Sequence, residues 1–114
     1  MERLEDNERL YFEFLLQRAG ERKIIALDYD GTITTNFPFW LQFIRSAADA
    51  GYFVVIVTMR APHEVRSMHP SVLEACAWIV PTSRAAKLKY CQDRGLNPSI
   101  WVDDMPMALF TDFA

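Results

Sequence analysis

Apolar residues fall along this chain in two kinds of pattern. Short unbroken runs cover 24–27, 53–57, 77–80 and 100–102. Runs of that length are the mark of strands buried on both faces, as inside a parallel sheet. Elsewhere the apolar positions recur at three- and four-residue spacing, which predicts helices. Residues 2–19 are the first: Leu4, Tyr11 and Leu15 share a face, Leu10, Phe12, Phe14 and Leu16 widen it, and Gly20 stands where a C-cap belongs. So dense a face is expected to pack on the sheet, with a dimer contact as the alternative.

The second helix is predicted over 38–50. Pro38 suits a first turn, Phe39, Trp40, Phe43, Ile44, Ala47 and Ala48 fall on one face, and Gly51 closes it. Phe37, Phe39 and Trp40 read as core ahead of a stacking surface for a substrate ring. Pro62 opens a third helix that His69-Pro70 interrupts, with a further turn through 76. Ser83 is placed to cap a helix over 84–94 ending at Gly95, Asn97-Pro98 makes a turn, and 105–113 form one short helix. Strands alternating with helices predict an α/β fold, a small doubly wound parallel sheet of about four strands with right-handed crossovers. The expected organisation is one domain over 1–114, an N-terminal helix (1–20) and a Rossmann-like core (21–114).

Composition narrows the function classes. The chain has 114 residues, 51% hydrophobic and 24% charged, with a net charge of −3. That balance argues against bulk, sequence-independent binding of nucleic acid. No apolar run approaches the roughly 20 residues of a membrane span, and no basic start precedes an apolar leader, so a cytoplasmic protein with no membrane partner is expected. Cys76 and Cys91 form no CxxC pair and read as reduced thiols. His63 and His69 are lone histidines without partners at metal spacing and read as structural.

The polar residues that end the strands carry the chemistry. The first apolar run leads directly into Asp28-Tyr29-Asp30-Gly31-Thr32, the second into Thr58-Met59-Arg60, and the fourth into Asp103-Asp104. In open α/β sheets the carboxyl ends of the strands are where ligands bind. Carboxylates crowded there repel unless a cation joins them, so the edge calls for a divalent ion. A calcium loop of the EF-hand kind needs further oxygen ligands and a downstream Glu, which 33–37 do not supply. Lys87 lies in the first turn of the helix predicted over 84–94, where the helix dipole disfavours a cation. Its placement there points to an anion beside it, whereas Lys89 lies on another face and reads as solvated.

Asp28-Tyr29-Asp30-Gly31-Thr32 resembles the DxDGT signature of the haloacid dehalogenase (HAD) superfamily, most of whose members are Mg²⁺-dependent phosphatases. The family's other motifs, a Ser or Thr after the second strand, a Lys on a later helix and paired acids after the fourth, find counterparts in Thr58, Lys87 (with Lys89 as the alternative) and Asp103-Asp104. The resemblance spans about residues 24–104 and implies hydrolysis of a phosphomonoester. Asp28 would attack phosphorus to form an aspartyl-phosphate, and Asp30 would serve as acid and then base. Thr58 and Lys87 would bind the phosphoryl group, together with Gly31, Thr32, Met59 and Arg60. Asp28, Asp103, Asp104 and the backbone carbonyl of Asp30 would surround Mg²⁺. Gly31 would allow the sharp turn that lets Asp30 face the same crevice. Dehalogenase members lack the second acid, so Asp30 favours phosphate chemistry.

Two departures from the family shape the expectation. Only 30 positions separate Asp28 from Thr58 and 29 separate Thr58 from Lys87, which leaves no room for a cap domain. An uncapped crevice suits a macromolecular phosphate, or a site lidded by a second subunit. Val57-Thr58-Met59-Arg60 with Val102-Asp103-Asp104 also resembles the phosphatase domain of polynucleotide kinase-phosphatases, with Met59 where that family has Gly, which implies a nucleic-acid end as substrate. Ten residues follow Asp104, so the fourth strand is expected at an exposed edge. Either self-association or the N-terminal helix would then cover it. The competing function is a non-catalytic regulator or assembly protein that binds metal or phosphate on the same fold. A response-regulator-like receiver is rejected, because Pro81-Thr82-Ser83 offers no phosphoacceptor Asp.

Overall fold

A computed structural model describes the backbone of residues 2–113 and the side chains of 7–113. Met1, Ala114 and the side chain of Leu4, counted above in the helical stripe, lie outside the described residues. Four parallel strands form one sheet: β1 (Ile24–Leu27), β2 (Phe53–Thr58), β3 (Trp78–Pro81) and β4 (Ile100–Val102), in the order β3-β2-β1-β4. Four α-helices flank them: α1 (Glu2–Ala19), α2 (Phe37–Asp49), α3 (Pro70–Ala75) and α4 (Lys87–Asp93). The fold is α/β and Rossmann-like. No described helix is long and apolar enough to cross a membrane.

The continuous apolar runs behave as their pattern requires. Every residue of β1 and β2 is buried, and successive side chains feed two different layers. Ile24, Ala26, Phe53, Val55 and Val57 face Phe12, Leu15 and Ala19 of α1 and Cys91 of α4. Ile25, Leu27, Val54 and Ile56 face Ile44 and Ala47 of α2 and Val72 of α3. Each fully buried side chain of this size, such as Leu15, Ile44 or Val72, contributes about 1.5–3 kcal/mol.

The reversal of strand order decides where a ligand would bind. From β1 the chain steps outward to β2 and β3, then returns past β1 to place β4 on its other side. The carboxyl ends of β1 and β4 therefore flank the point of reversal, where such sheets open a crevice. The ladder Leu27 to Val102 continues as Asp28 N–H to the carbonyl of Val102 at 2.9 Å. That register sets Asp28 beside Asp103.

Several helical expectations are corrected. The buried face of α1 is Phe12, Leu15 and Ala19, with Leu16 half-buried, while Leu10, Tyr11 and Phe14 are exposed. The helix covers the β1–β2–β3 part of the sheet, so only its narrow stripe meets the core. Its Tyr11 hydroxyl donates to the carbonyl of Ile79 on edge strand β3, and Arg94, just after α4, pairs with Glu8. On β4, Trp101 packs against the cluster that holds Phe12, Leu15 and Ala19, whereas Ile100, on the other face of the strand, stays 41% exposed. Helix α2 begins one residue early, because the Asn36 side chain accepts the Phe39 N–H at 3.1 Å. Phe39 and Ala48 on α2 are exposed, not core. Residues 62–67 form a 3₁₀ helix, and His69 caps α3 through Nδ1, which accepts the Ser71 N–H at 3.2 Å. The helix expected over 105–113 is a 3₁₀ turn at Pro106–Leu109.

The largest difference is at α4. Ser83 does not cap it: Ser83 and Arg84 adopt left-handed backbone (φ 52° and 73°), and the helix starts at Lys87. The cap arrives from the C-terminal segment, where Asp112 Oδ1 accepts the Ala86 N–H at 2.6 Å.

Candidate active site at the strand-order reversal

Asp28 follows β1 directly and is 8% exposed, and Lys87, at the first position of α4, is 2% exposed. Lys87 Nζ donates to Asp28 Oδ1 at 2.8 Å and to Asp103 Oδ2 at 2.6 Å. Lys89 instead pairs with Asp93 on the surface, so Lys87 is the lysine of the site. An ammonium this deeply buried needs a carboxylate partner, and Lys87 has two.

Thr32 ties the first acidic turn to the last. Its hydroxyl lies 3.2 Å from both Asp28 Oδ2 and Asp104 Oδ1, its one proton serving either acceptor, and its oxygen accepts the Asp104 N–H. Gly31 has φ +87°, and a Cβ there would stand 2.5 Å from Asp104 Oδ2. Only glycine lets the Asp104 carboxylate lie this close to the turn. Tyr29 points into the opposite layer, where its hydroxyl accepts the His69 N–H at 2.7 Å. That anchor fixes the alternation by which Asp28 and Asp30 share the crevice side.

Asp28, Asp103 and Asp104 each present a carboxylate oxygen within 4.8 Å of the others. Three carboxylates against one ammonium leave two uncompensated negative charges in a half-buried space. Burial and the neighbouring Asp104 push Asp28 up to about 7, although Lys87 pulls the other way. Hard oxygen donors in this number suit a small divalent cation that keeps part of its water shell. The donor set therefore fits Mg²⁺.

Asp30 stands outside this group. Its carboxylate is gripped by Arg60 through two bonds, Nε to Oδ2 and Nη2 to Oδ1, both 2.8 Å, and the guanidinium holds it below the usual carboxylate range. Arg60 is itself pinned, with Nη1 donating to the Glu64 carbonyl and to Ser67 Oγ. The side chain expected to be an acid-base group and the one expected to bind substrate are thus paired with each other.

Thr58, buried at the end of β2, accepts the Arg60 N–H through Oγ1 at 3.2 Å. With Asp28, Asp30, Met59, Lys87, Asp103 and Asp104 it lines a chamber of about 160 Å³. The first, second and fourth strand ends and the start of α4 are brought together as the sequence requires. Sequence reasoning passed over Phe113, which lines the chamber, Arg84, which lies beside it, and Asp112, which caps α4. No family model, curated protein or solved structure matches the chain.

Proposed function

We propose that this chain is a Mg²⁺-dependent phosphomonoesterase of the HAD kind, working through an aspartyl-phosphate on Asp28. The observation that carries the reading is Lys87 Nζ held between Asp28 and Asp103, residues 59 and 16 positions away from it, at the strand-order reversal. A chamber of about 160 Å³, with four carboxylates, a lysine and a threonine in its wall beside Met59, Met105, Ala108 and Phe113, is sized for a phosphoryl group.

Bound to Asp28, Asp103, Asp104 and the backbone carbonyl of Asp30, Mg²⁺ would supply neutralisation of phosphoryl charge. The chain's own residues do the rest. Lys87 and the Thr58 hydroxyl orient the phosphoryl oxygens, and an Asp28 oxygen attacks phosphorus as the ester oxygen departs. Asp30 gives that oxygen a proton, then takes one from water as the water attacks the aspartyl-phosphate. Inorganic phosphate leaves and the Asp28 carboxylate is restored. For the first proton transfer Asp30 must part from Arg60, whose guanidinium keeps it ionised. A cytoplasmic setting fits the two free cysteines, and self-association through β4 fits its exposed Ile100.

The Arg60–Asp30 pair also favours a second reading, a protein of the same fold that binds metal or phosphate without turnover. Acid quenching after mixing with p-nitrophenyl phosphate and Mg²⁺, followed by peptide mass spectrometry, separates the two. Phosphorylated Asp28 is expected. A hydrolysing preparation in which Asp28 stays unmodified would refute the nucleophile assignment.

A further inference from the structure

A second, wider cleft opens beside the carboxylate chamber. It has a volume of about 580 Å³, and Asp30, Met59 and Phe113 line both spaces, so the two adjoin. A phosphoryl group in the smaller chamber would leave the rest of its molecule in this cleft. The remaining walls are Arg60, Glu64, Ser67 and Arg84.

These charged groups are not equally engaged. Arg60 is consumed by Asp30, Glu64 and Ser67, as described. Glu64 Oε1 accepts the Ala61 N–H at 2.8 Å and lies 3.5 Å from Arg84 Nη1. Arg84 donates through Nη1 alone, to the Met59 carbonyl at 2.6 Å and weakly to Glu64. Its Nε and Nη2 have no hydrogen-bond partner among the described residues. Two donors on one edge of a guanidinium match two oxygens of a phosphate or phosphodiester.

The backbone holds Arg84 there at a cost. Ser83 and Arg84 both have positive φ, a conformation that non-glycine residues adopt only where the surroundings impose it. The Ser83 N–H donates to the Arg60 carbonyl at 3.2 Å and the Arg84 N–H to the Met59 carbonyl at 2.8 Å. From the other side the Phe113 N–H donates to the Arg84 carbonyl at 2.7 Å. A strained turn stitched to the Thr58–Arg60 corner and the C-terminal segment thus presents a guanidinium to the cleft.

We propose that this cleft is a second anion subsite, in which Arg84 binds a further phosphate or phosphodiester on the leaving group of the substrate. The inference names the substrate class of the proposed phosphatase and rests on that reading for the reaction, while the subsite itself is testable by binding alone. The preferred substrate is then a phosphomonoester with a second phosphorus oxyanion, either a small bisphosphate or the phosphorylated end of a nucleic-acid chain.

The test is calorimetric titration of the full chain, in Mg²⁺, with adenosine 5′-monophosphate, adenosine 3′,5′-bisphosphate and a 5′-phosphorylated dinucleotide. Asp28→Asn is used alongside the wild type so that no ligand is consumed. A second oxyanion is expected to tighten binding by about tenfold, the scale of one charge-assisted hydrogen-bonded contact. Arg84→Ala should erase that gap while leaving the monophosphate within about twofold, and Arg84→Lys should restore part of it. Preference for the bisphosphate or for the dinucleotide identifies the source of the second anion. Equal affinities for the three ligands in the Asp28→Asn protein would overturn the proposal. So would an equal loss for all three ligands in Arg84→Ala, which would mean that Arg84 only supports the Met59–Arg60 corner. An Arg84-dependent gap in a protein that hydrolyses none of the ligands would support the subsite and count against the phosphatase reading.

Discussion

Lys87 Nζ lies 2.8 Å from Asp28 Oδ1 in a site where the lysine is 2% exposed. The contact joins the first residue of α4 to the residue that follows β1, and it sets the electrostatics of everything around it. Removing the ammonium leaves Asp28 and Asp103 facing each other without compensation. Lys87→Met should therefore lose about 3–5 kcal/mol of stability, the usual cost of breaking a buried pair. Thermal denaturation in EDTA checks this, and added Mg²⁺ should recover part of the loss.

Asp28 makes metal-free stability depend on pH. Its folded value, about 7, lies above the ordinary 3.8, so between those values the folded state binds more protons than the unfolded one. Stability is full below about pH 4 as far as this group is concerned, and declines as pH rises toward 7, by at most about 1.4 kcal/mol per pH unit. Asp28→Asn mimics the protonated form. In EDTA at pH 8 that variant should melt above the wild type, and its melting temperature should lack the wild-type decline.

The close approach of Asp104 to Gly31 makes a third prediction. In Gly31→Ala the new Cβ meets Asp104 Oδ2 at 2.5 Å, and φ +87° is itself strained for alanine. Asp104 must move away from Asp28 and Asp103. The variant should lose most of the Mg²⁺-induced rise in melting temperature, whereas Gly51→Ala, which has open space around its Cβ, should keep it.

Arg60 keeps Asp30 ionised, and the direction is testable. In Arg60→Gln the Asp30 carboxylate should titrate higher, back toward the ordinary range, by carbon-detected NMR of the side chain. The pair stabilises the fold above the ordinary Asp value, and the contribution is lost as pH falls through the lowered one. Since the Asp30 side chain is more than half exposed, the stability change should be small.

The sheet and the converging strand ends were legible because they depend on local runs. Residues 24–27 and 53–57 are continuous, apolar and followed at once by a polar residue, and the β1–β4 register does the rest. What escaped depends on distant partners. Asp112 reaches Ala86 across 26 positions, so Ser83, the better local cap, is released into a strained turn. Arg60 meets Asp30 across 30 positions, and nothing near either residue announces the pair. Arg84 offered no signal beyond a polar stretch after Pro81. In α1 the stripe was overcounted through Leu10 and Phe14, because spacing shows which residues share a face but not how wide a face the sheet will cover.

The central claim is that Asp28 is a nucleophile in a metal-loaded site. Hydrolysis of p-nitrophenyl phosphate by the wild type and by Asp28→Asn, each in Mg²⁺ and in EDTA, tests it most directly. Turnover by the wild type in Mg²⁺ alone, abolished in the variant while its fold is retained, is the predicted result. Equal turnover by the wild type and the variant, or turnover unaffected by EDTA, would contradict it.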